Sequence, residues 1–456
     1  MSHVYCSPYL RARPGSTHGY DIVDHDEINP EIGTAADFDA FVAQTRRHGL
    51  AQMMDIVPNH MGVLGADNDW WQDLLENGPA STLAEFFDID WRPPSEHLAN
   101  RVLLPVLGDH YGVELSGGRL KLGFEKDSGA FAVRYFEHRL PIDPQLYPRI
   151  LAPAVRALEA AGPDLGHQAQ ALRALMEAFA RLPRREDTTR ARMDERNLNK
   201  EVLKARLACL ARLQPAVVQA LARALAALNG GPGDPASFDE LHDLLERQPY
   251  RLAFWRVAQD EINYRRFFDI NDLAALRQEN RAVFDVTHRM ILKLVREGAV
   301  DALRIDHPDG LYDPREYFQR LQEGCGKPTY VVVEKIVAPF ENLPEEWAVH
   351  GTTGYRFANV VNGLFVDPSA RARLTRAYHG FIRTETSFEE LARRNKRQVL
   401  RTALASELTM LTSRLARISR ADRNTRDFTF TTLREGLADV IAAFPVYRTY
   451  IDDHVG

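Results

Sequence analysis

Two short runs limit what this chain can fold into more than anything else in it. One is Val300-Asp301-Ala302-Leu303-Arg304-Ile305-Asp306-His307, the other Tyr330-Val331-Val332-Val333-Glu334-Lys335-Ile336. Each is a brief apolar stretch that ends in charge. That is the length and composition of a parallel strand covered on both faces. A carboxylate at the C-terminal end of such a strand points into the mouth of an α/β barrel, where substrates bind. Asp306 and Glu334, on neighbouring strands, then face one another. Glycoside cleavage needs this arrangement, one carboxylate as nucleophile and one as proton donor. Either acid taken alone reads equally well as a strand-end residue held by a salt bridge.

A third stretch, Ala51-Gln52-Met53-Met54-Asp55-Ile56-Val57-Pro58-Asn59-His60, favours the barrel. Before it, Phe38, Phe41, Val42 and Thr45 follow helical spacing up to Arg46-Arg47-His48-Gly49, a stop built of cations and a terminal glycine. Ser2 to Pro8 predicts a buried strand ahead of that helix. Strand, helix and strand in this order imply a parallel βαβ unit. His60, with Asp55 and Asn59, lies where the chain opens toward the same mouth as Asp306 and Glu334. A lone histidine at such a place is as a rule structural, and its neighbours raise its standing here. Tyr20, in the Gly- and Pro-marked loop from Arg13 to Asp21, reads either as a flat platform for a sugar ring or as a packed loop aromatic.

The remaining chain divides by pattern. The expected organisation is a barrel portion over 1–60, a β-rich insertion after the third strand over 61–145, a helical insertion over 146–265, a central barrel portion over 266–366 and a helical segment over 367–456. Trp70, Trp71, Phe86, Phe87 and Trp91 suggest a small aromatic core rather than a sugar platform. Asp127-Ser128-Gly129 reads as a hairpin turn. Leu203, Leu207, Leu210 and Ala211 share one helix face, with Lys200, Glu201, Lys204 and Arg212 around it. Phe284 to Glu297 predicts an amphipathic helix that delivers the chain to the Asp306 strand. His350 to Phe357 suggests a loop close to a ligand or to another backbone, and no further buried parallel strand is expected after it.

At 456 residues, 45% apolar and 26% charged with net charge −6, the composition is that of a soluble globular protein. No basic block predicts a nucleic-acid surface, and no run of 18 apolar residues predicts a membrane span. Cys6, Cys209 and Cys325 have neither metal-ligand spacing nor an even framework, so a reducing, cytoplasmic setting is expected. Asn59 and Asp67 are two scattered oxygen donors, short of a calcium site, and no metal or cofactor is expected.

Asp55-Ile56-Val57-Pro58-Asn59-His60, Leu303-Arg304-Ile305-Asp306 and Val333-Glu334 match, in order, three of the four short motifs of the α-amylase superfamily of glycoside hydrolases. Ser7-Pro8, Ala12 to Asp21, Ile28 to Glu31, Leu303 to Gly310 and Phe444-Pro445-Val446-Tyr447-Arg448-Thr449-Tyr450 resemble one branch of it, the maltooligosyltrehalose synthases, along the whole chain. The resemblance implies a (β/α)8-type barrel. It implies an intramolecular transglucosylation of a maltooligosaccharide, in which the reducing-end α-1,4 bond becomes an α,α-1,1 bond. By residue match Asp306 is then the nucleophile and Glu334 the general acid/base, its pKa expected to be raised. Arg304 keeps the nucleophile ionised, and His60 and Tyr20 line the subsite of the reacting glucose. Asp55 and Asn59 belong to the same substrate-binding motif. His307, Asp309 and Tyr264 are the candidates to retain the released glucose.

Family members also carry a strand and helix before the strand that holds Val4 here, and a third catalytic acid on a late strand. Neither has a match, so the chain is expected to be an internal portion of a longer enzyme or a shortened product, its barrel incomplete. An α-glucan hydrolase of the same superfamily and an inactive glucan-binding fragment are the alternative readings.

Overall fold

The computed structural model describes residues 1–231 and 233–451. Pro232 and the last five residues of the segment expected over 367–456 lie outside that range. The described residues form two compact units, one of residues 1–62, 267–270 and 275–451, the other of residues 63–231, 233–266 and 271–274.

The first unit is built on a parallel sheet. Its strands, in chain and in spatial order, are β1 (His3–Cys6), β2 (Ala51–Ile56), β3 (Ala302–Ile305), β4 (Tyr330–Val333) and β5 (Gly351–Thr352). Every pairing is parallel. Met54, Ile56, Leu303, Ile305, Val331 and Val333 are essentially without solvent exposure, as strands covered on both faces require. Helices α1 (Ala35–Arg47), α2 (Arg281–Arg296) and α3 (Pro314–Cys325) lead into β2, β3 and β4. This is the (β/α)8-barrel type of fold, of which the described residues supply five strands.

The helix limits follow from local chemistry. Thr34 and Asp37 close a reciprocal capping box on α1, whose last turn carries Arg46 and Arg47. The Asn280 side chain caps α2, which buries Phe284, Ile291, Leu292 and Val295. Asp313 caps α3, Pro314 occupies its first turn, and Gly326 ends it at φ 71°. Phe284, Val295, Phe318 and Leu321 complete one core with the inward residues of β2, β3 and β4.

Two expectations change. The strand over residues 3–6 forms, but not as a buried one. It pairs only with β2 among the described residues, and Tyr5 is 54% exposed. The stretch read as a loop near His350 contributes β5, where Gly351 and Thr352 pair with Val332 and Val333. Two residues are too few to show an apolar run, so only the backbone-approach part of the loop reading was visible.

The second unit combines a three-stranded antiparallel sheet with packed helices. The hairpin joins Lys121–Glu125 to Ala130–Tyr135. A Cβ on Gly129 in its turn would lie 2.0 Å from the Lys204 carbonyl oxygen, so the turn fits only without a side chain. Trp71 packs edge-on to Phe87 and Tyr264 at 5.1 and 5.5 Å, which is the small aromatic core. Within the stretch read as helical, Tyr250–Phe254 is a strand paired in parallel with Val102–Leu107, because tertiary pairing outweighs local propensity.

The helix Arg190–Leu213 buries Leu203, Leu207 and Ala211 as its spacing predicts. It also buries Lys200 and Lys204, which the spacing leaves in solvent. Glu76 accounts for this, lying 2.8 Å from the Lys200 ammonium and 3.1 Å from that of Lys204. Burial raises the Glu76 pKa, but the two lysines outweigh it and hold the carboxyl down to about 2.

Candidate active site

The ladder of the sheet places the acids. The Asp306 N–H donates to the Ile56 carbonyl at 2.9 Å, and the Glu334 N–H to the Ile305 carbonyl at 3.0 Å, so each residue continues its strand by one step at the C-terminal edge. Asp55 sits on β2 directly opposite Arg304 on β3. One barrel edge therefore carries Asp55, Arg304, Asp306 and Glu334.

Arg304 joins the three acids. Its Nη1 donates to both Asp55 oxygens at 2.8 and 2.9 Å and to Asp306 Oδ1 at 2.8 Å. Its Nη2 is 2.9 Å from Glu334 Oε1. A single guanidinium bridging both strand-end carboxylates keeps them close, as a retaining pair requires. Burial works against the charge of Arg304, but Asp55, Asp306 and Glu334 together raise its pKa, so it stays a cation.

Burial also acts on Asp306, raising its pKa; Arg304 pulls it back and the Glu334 carboxylate raises it again, and the balance is about 7. Asp55 has no solvent exposure, and burial is the largest influence that raises its pKa. Besides Arg304 it accepts from the hydroxyls of Tyr5 at 2.5 Å and Tyr20 at 2.6 Å.

The other sequence-selected residues distribute as follows. The Tyr20 ring lies 5.9 Å from the Arg304 guanidinium carbon, with its hydroxyl on Asp55. His60 has no solvent exposure; its Nε2 is 3.2 Å from the Tyr20 carbonyl oxygen and its ring is 4.5 Å from Phe267. Asn59 Nδ2 is 3.3 Å from His60 Nδ1. The His307 N–H donates to Glu334 Oε2 at 3.1 Å, and its ring meets Phe267 edge-on at 5.0 Å and Phe268 at 5.5 Å. Asp309 lies two residues on, paired with Lys335. Tyr264 belongs to the second unit, where its hydroxyl donates to the Asn271 carbonyl at 2.8 Å.

Tyr5 was not singled out by its sequence. Its place follows from strand pairing, which sets Tyr5 in register with Met53, two residues before Asp55. Phe267 and Phe268 were visible only as part of a polar, aromatic-dense stretch. Among the described residues no group of three or more His, Cys, Asp or Glu side chains is arranged to hold a metal ion.

Residues 1–118 match the family described as alpha amylase, catalytic domain. Along its length the chain is similar to maltooligosyltrehalose synthases. It is 30% identical to the maltooligosyltrehalose synthase of Arthrobacter ramosus, with a TM-score of 0.68 over 99% of this chain and 44% of that one. A Sulfolobus tokodaii structure titled as a hypothetical maltooligosyl trehalose synthase gives 26% identity and a TM-score of 0.66 over 99% of this chain and 46% of that one. A Mycobacterium tuberculosis protein provisionally named maltooligosyl trehalose synthase is 32% identical over 379 residues, 82% of this chain and 35% of that protein. The chain thus spans about a third of the length of the curated relative and under half of the solved ones.

Proposed function

We propose that the site rearranges the reducing end of a maltooligosaccharide, turning its terminal α-1,4 bond into an α,α-1,1 bond by a retaining double displacement. The observation that carries this reading is the Arg304 guanidinium held between Asp306 and Glu334 on adjacent strands. Likeness to the synthases along the whole chain supports the choice of reaction.

In the first step an Asp306 oxygen attacks the anomeric carbon of the penultimate glucosyl unit. The C–O bond to the terminal glucose breaks, and Glu334 gives its proton to the departing oxygen. Arg304 stabilises Asp306 as a carboxylate, offsetting the burial that favours its neutral form. The freed glucose then turns within the site. Its anomeric hydroxyl gives a proton back to Glu334 and attacks the glucosyl-enzyme carbon, and Asp306 leaves. No water is consumed and no electrons move, so the outcome depends on keeping the glucose in and water out.

His60 and Tyr20 line the reacting subsite, with Asp55 and Asn59 fixing their positions, while His307 and Asp309 act on the retained glucose. No helix among the described residues is long and apolar enough to cross a membrane. The three cysteines are unbridged, which fits the reducing environment of the cytoplasm.

Incubation with maltopentaose, following reducing ends together with anomeric proton signals, tests the proposal. Loss of reducing ends without free glucose is expected. A rise in reducing ends would replace the isomerase with a hydrolase, and no change in either would leave these residues with glucan binding alone.

A further inference from the structure

Strand alternation sends consecutive side chains to opposite sides. Glu334 faces the site with its side chain 27% exposed, whereas the Lys335 side chain is 1% exposed. The Lys335 ammonium lies 3.0 Å from Glu341 Oε1 and 3.5 Å from Asp309 Oδ2. Tyr450, near the end of the described chain, donates its hydroxyl to Asp309 Oδ1 and places its ring 5.7 Å from the ammonium. Arg448 donates to the carbonyls of Asp309 at 3.0 Å and Leu311 at 2.5 Å, with its guanidinium 4.9 Å from the Tyr450 ring. Trp347 meets that ring edge-on at 4.9 Å.

These contacts converge on the turn that follows the nucleophile. Pro308–Gly310 is a single 3-10 turn, and His307 before it adopts φ 42° and ψ 57°. A residue with a side chain holds the left-handed region only where its surroundings impose it. The same His307 supplies the N–H that donates to Glu334 Oε2. A closed ring results, running from Glu334 along the chain to Lys335, across to Asp309, back through the turn to His307, and by hydrogen bond to Glu334.

We propose that Lys335 and Tyr450 are positioning residues for proton transfer, gripping Asp309 so that the turn keeps the His307 N–H on the acid/base carboxylate. The inference rests on the assignment of Glu334 made above. Its consequence is specific to protonation of the leaving group. A glycosyl fluoride needs no such proton, because its C–F bond breaks with fluoride leaving as the anion while Asp306 takes its place.

The test compares turnover of maltopentaose, by whatever product, with fluoride release from α-maltosyl fluoride. Tyr450→Phe keeps the ring packing and loses only the hydroxyl. It is expected to lower kcat on maltopentaose by about tenfold, and Lys335→Met by about a hundredfold, the scale set by misplacing a catalytic group. KM stays within about threefold, Lys335→Arg restores part of the loss, and fluoride release changes by less than about threefold.

Equal losses on both substrates would reduce the grip to general support of the fold and overturn the proposal, as would wild-type rates in Tyr450→Phe. A wild-type chain that hydrolyses maltopentaose removes the isomerase reading but leaves the substrate ratio as the test of the grip. Wild-type inactivity on both substrates removes both.

Discussion

Arg304 stands opposite Asp55 in the register of two adjacent parallel strands, and its Nη1 reaches both oxygens of that carboxylate at 2.8 and 2.9 Å. The pair fixes the guanidinium from behind. Its remaining donor capacity is thereby aimed at Asp306 and Glu334.

Replacing Arg304 by Met removes the one cation that offsets the burial of Asp306. The pKa of Asp306 then rises above its present value of about 7, so the acidic limb of kcat/KM moves to higher pH. Activity at neutral pH is expected to fall by at least about a hundredfold, the scale of losing one preorganised electrostatic partner. Arg304→Lys restores charge but cannot span the acids, and is expected to recover little of the loss. A pH–rate profile of each variant measures both effects.

Gly310 has no room for a side chain. A Cβ there would lie 2.3 Å from Asn59 Oδ1 and 2.4 Å from the His307 ring. Gly310→Ala is expected to displace the His307 turn, with a loss of activity of about tenfold or more and little change in far-UV circular dichroism. Unaltered kinetics would show that the turn is not coupled to the acids.

Two buried histidines set an acid limit on the fold. Burial lowers the pKa of His25 to about 4 and that of His288 to about 3, where His288 Nε2 also lies 2.8 Å from the Tyr317 hydroxyl. The unfolded chain, with ordinary histidines near 6.5, binds more protons between these values. The stability they contribute is therefore present above about pH 6.5 and lost as pH falls through 4 and 3. Asp306, with its raised pKa, acts in the opposite direction over part of the same range. The slope difference between wild type and His288→Gln in urea melts at pH 4 to 7 isolates the histidine effect; equal slopes would contradict it.

In the second unit, Glu76→Gln leaves Lys200 and Lys204 buried without their shared counterion. Asp73 stays beside Lys200 and Glu201 beside Lys204, so the expected cost is about 1–3 kcal/mol, that of hydrogen bonds lost by a buried charged group. Lys200→Met combined with Glu76→Leu is expected to cost less than Glu76→Gln alone, which chemical denaturation of the three proteins would reveal.

The barrel was legible where the sequence repeats what the sheet demands. Residues 51–56, 302–305 and 330–333 are short apolar runs because both of their faces are covered, and the charge that ends each run marks the edge where the cover stops. Tyr5 was not legible, since a half-exposed strand shows no such run and its role depends on a register fixed by β2. Lys200 and Lys204 misled for the opposite reason. Charge on a helix reads as solvent-facing unless the partner is known, and Glu76 lies more than 120 positions earlier. Tyr264 sits in an aromatic-rich stretch that looks like site chemistry, and its ring packs edge-on to Trp71. Composition does not distinguish a platform for sugar from a platform for another side chain.

The 249 positions that separate Asp55 from Arg304 also set an order on the ribosome. At about 5–20 residues per second, strand β2 waits roughly 10 to 50 seconds for the neighbour that supplies its guanidinium. During that interval Met54 and Ile56 are without the strand that later covers them, and Asp55 is without its cation. Nascent chains halted just before residue 300 should therefore depend on chaperones for solubility far more than chains halted beyond residue 335. The long interruption leaves Asp55 and its strand without a neighbour on that side until late in synthesis.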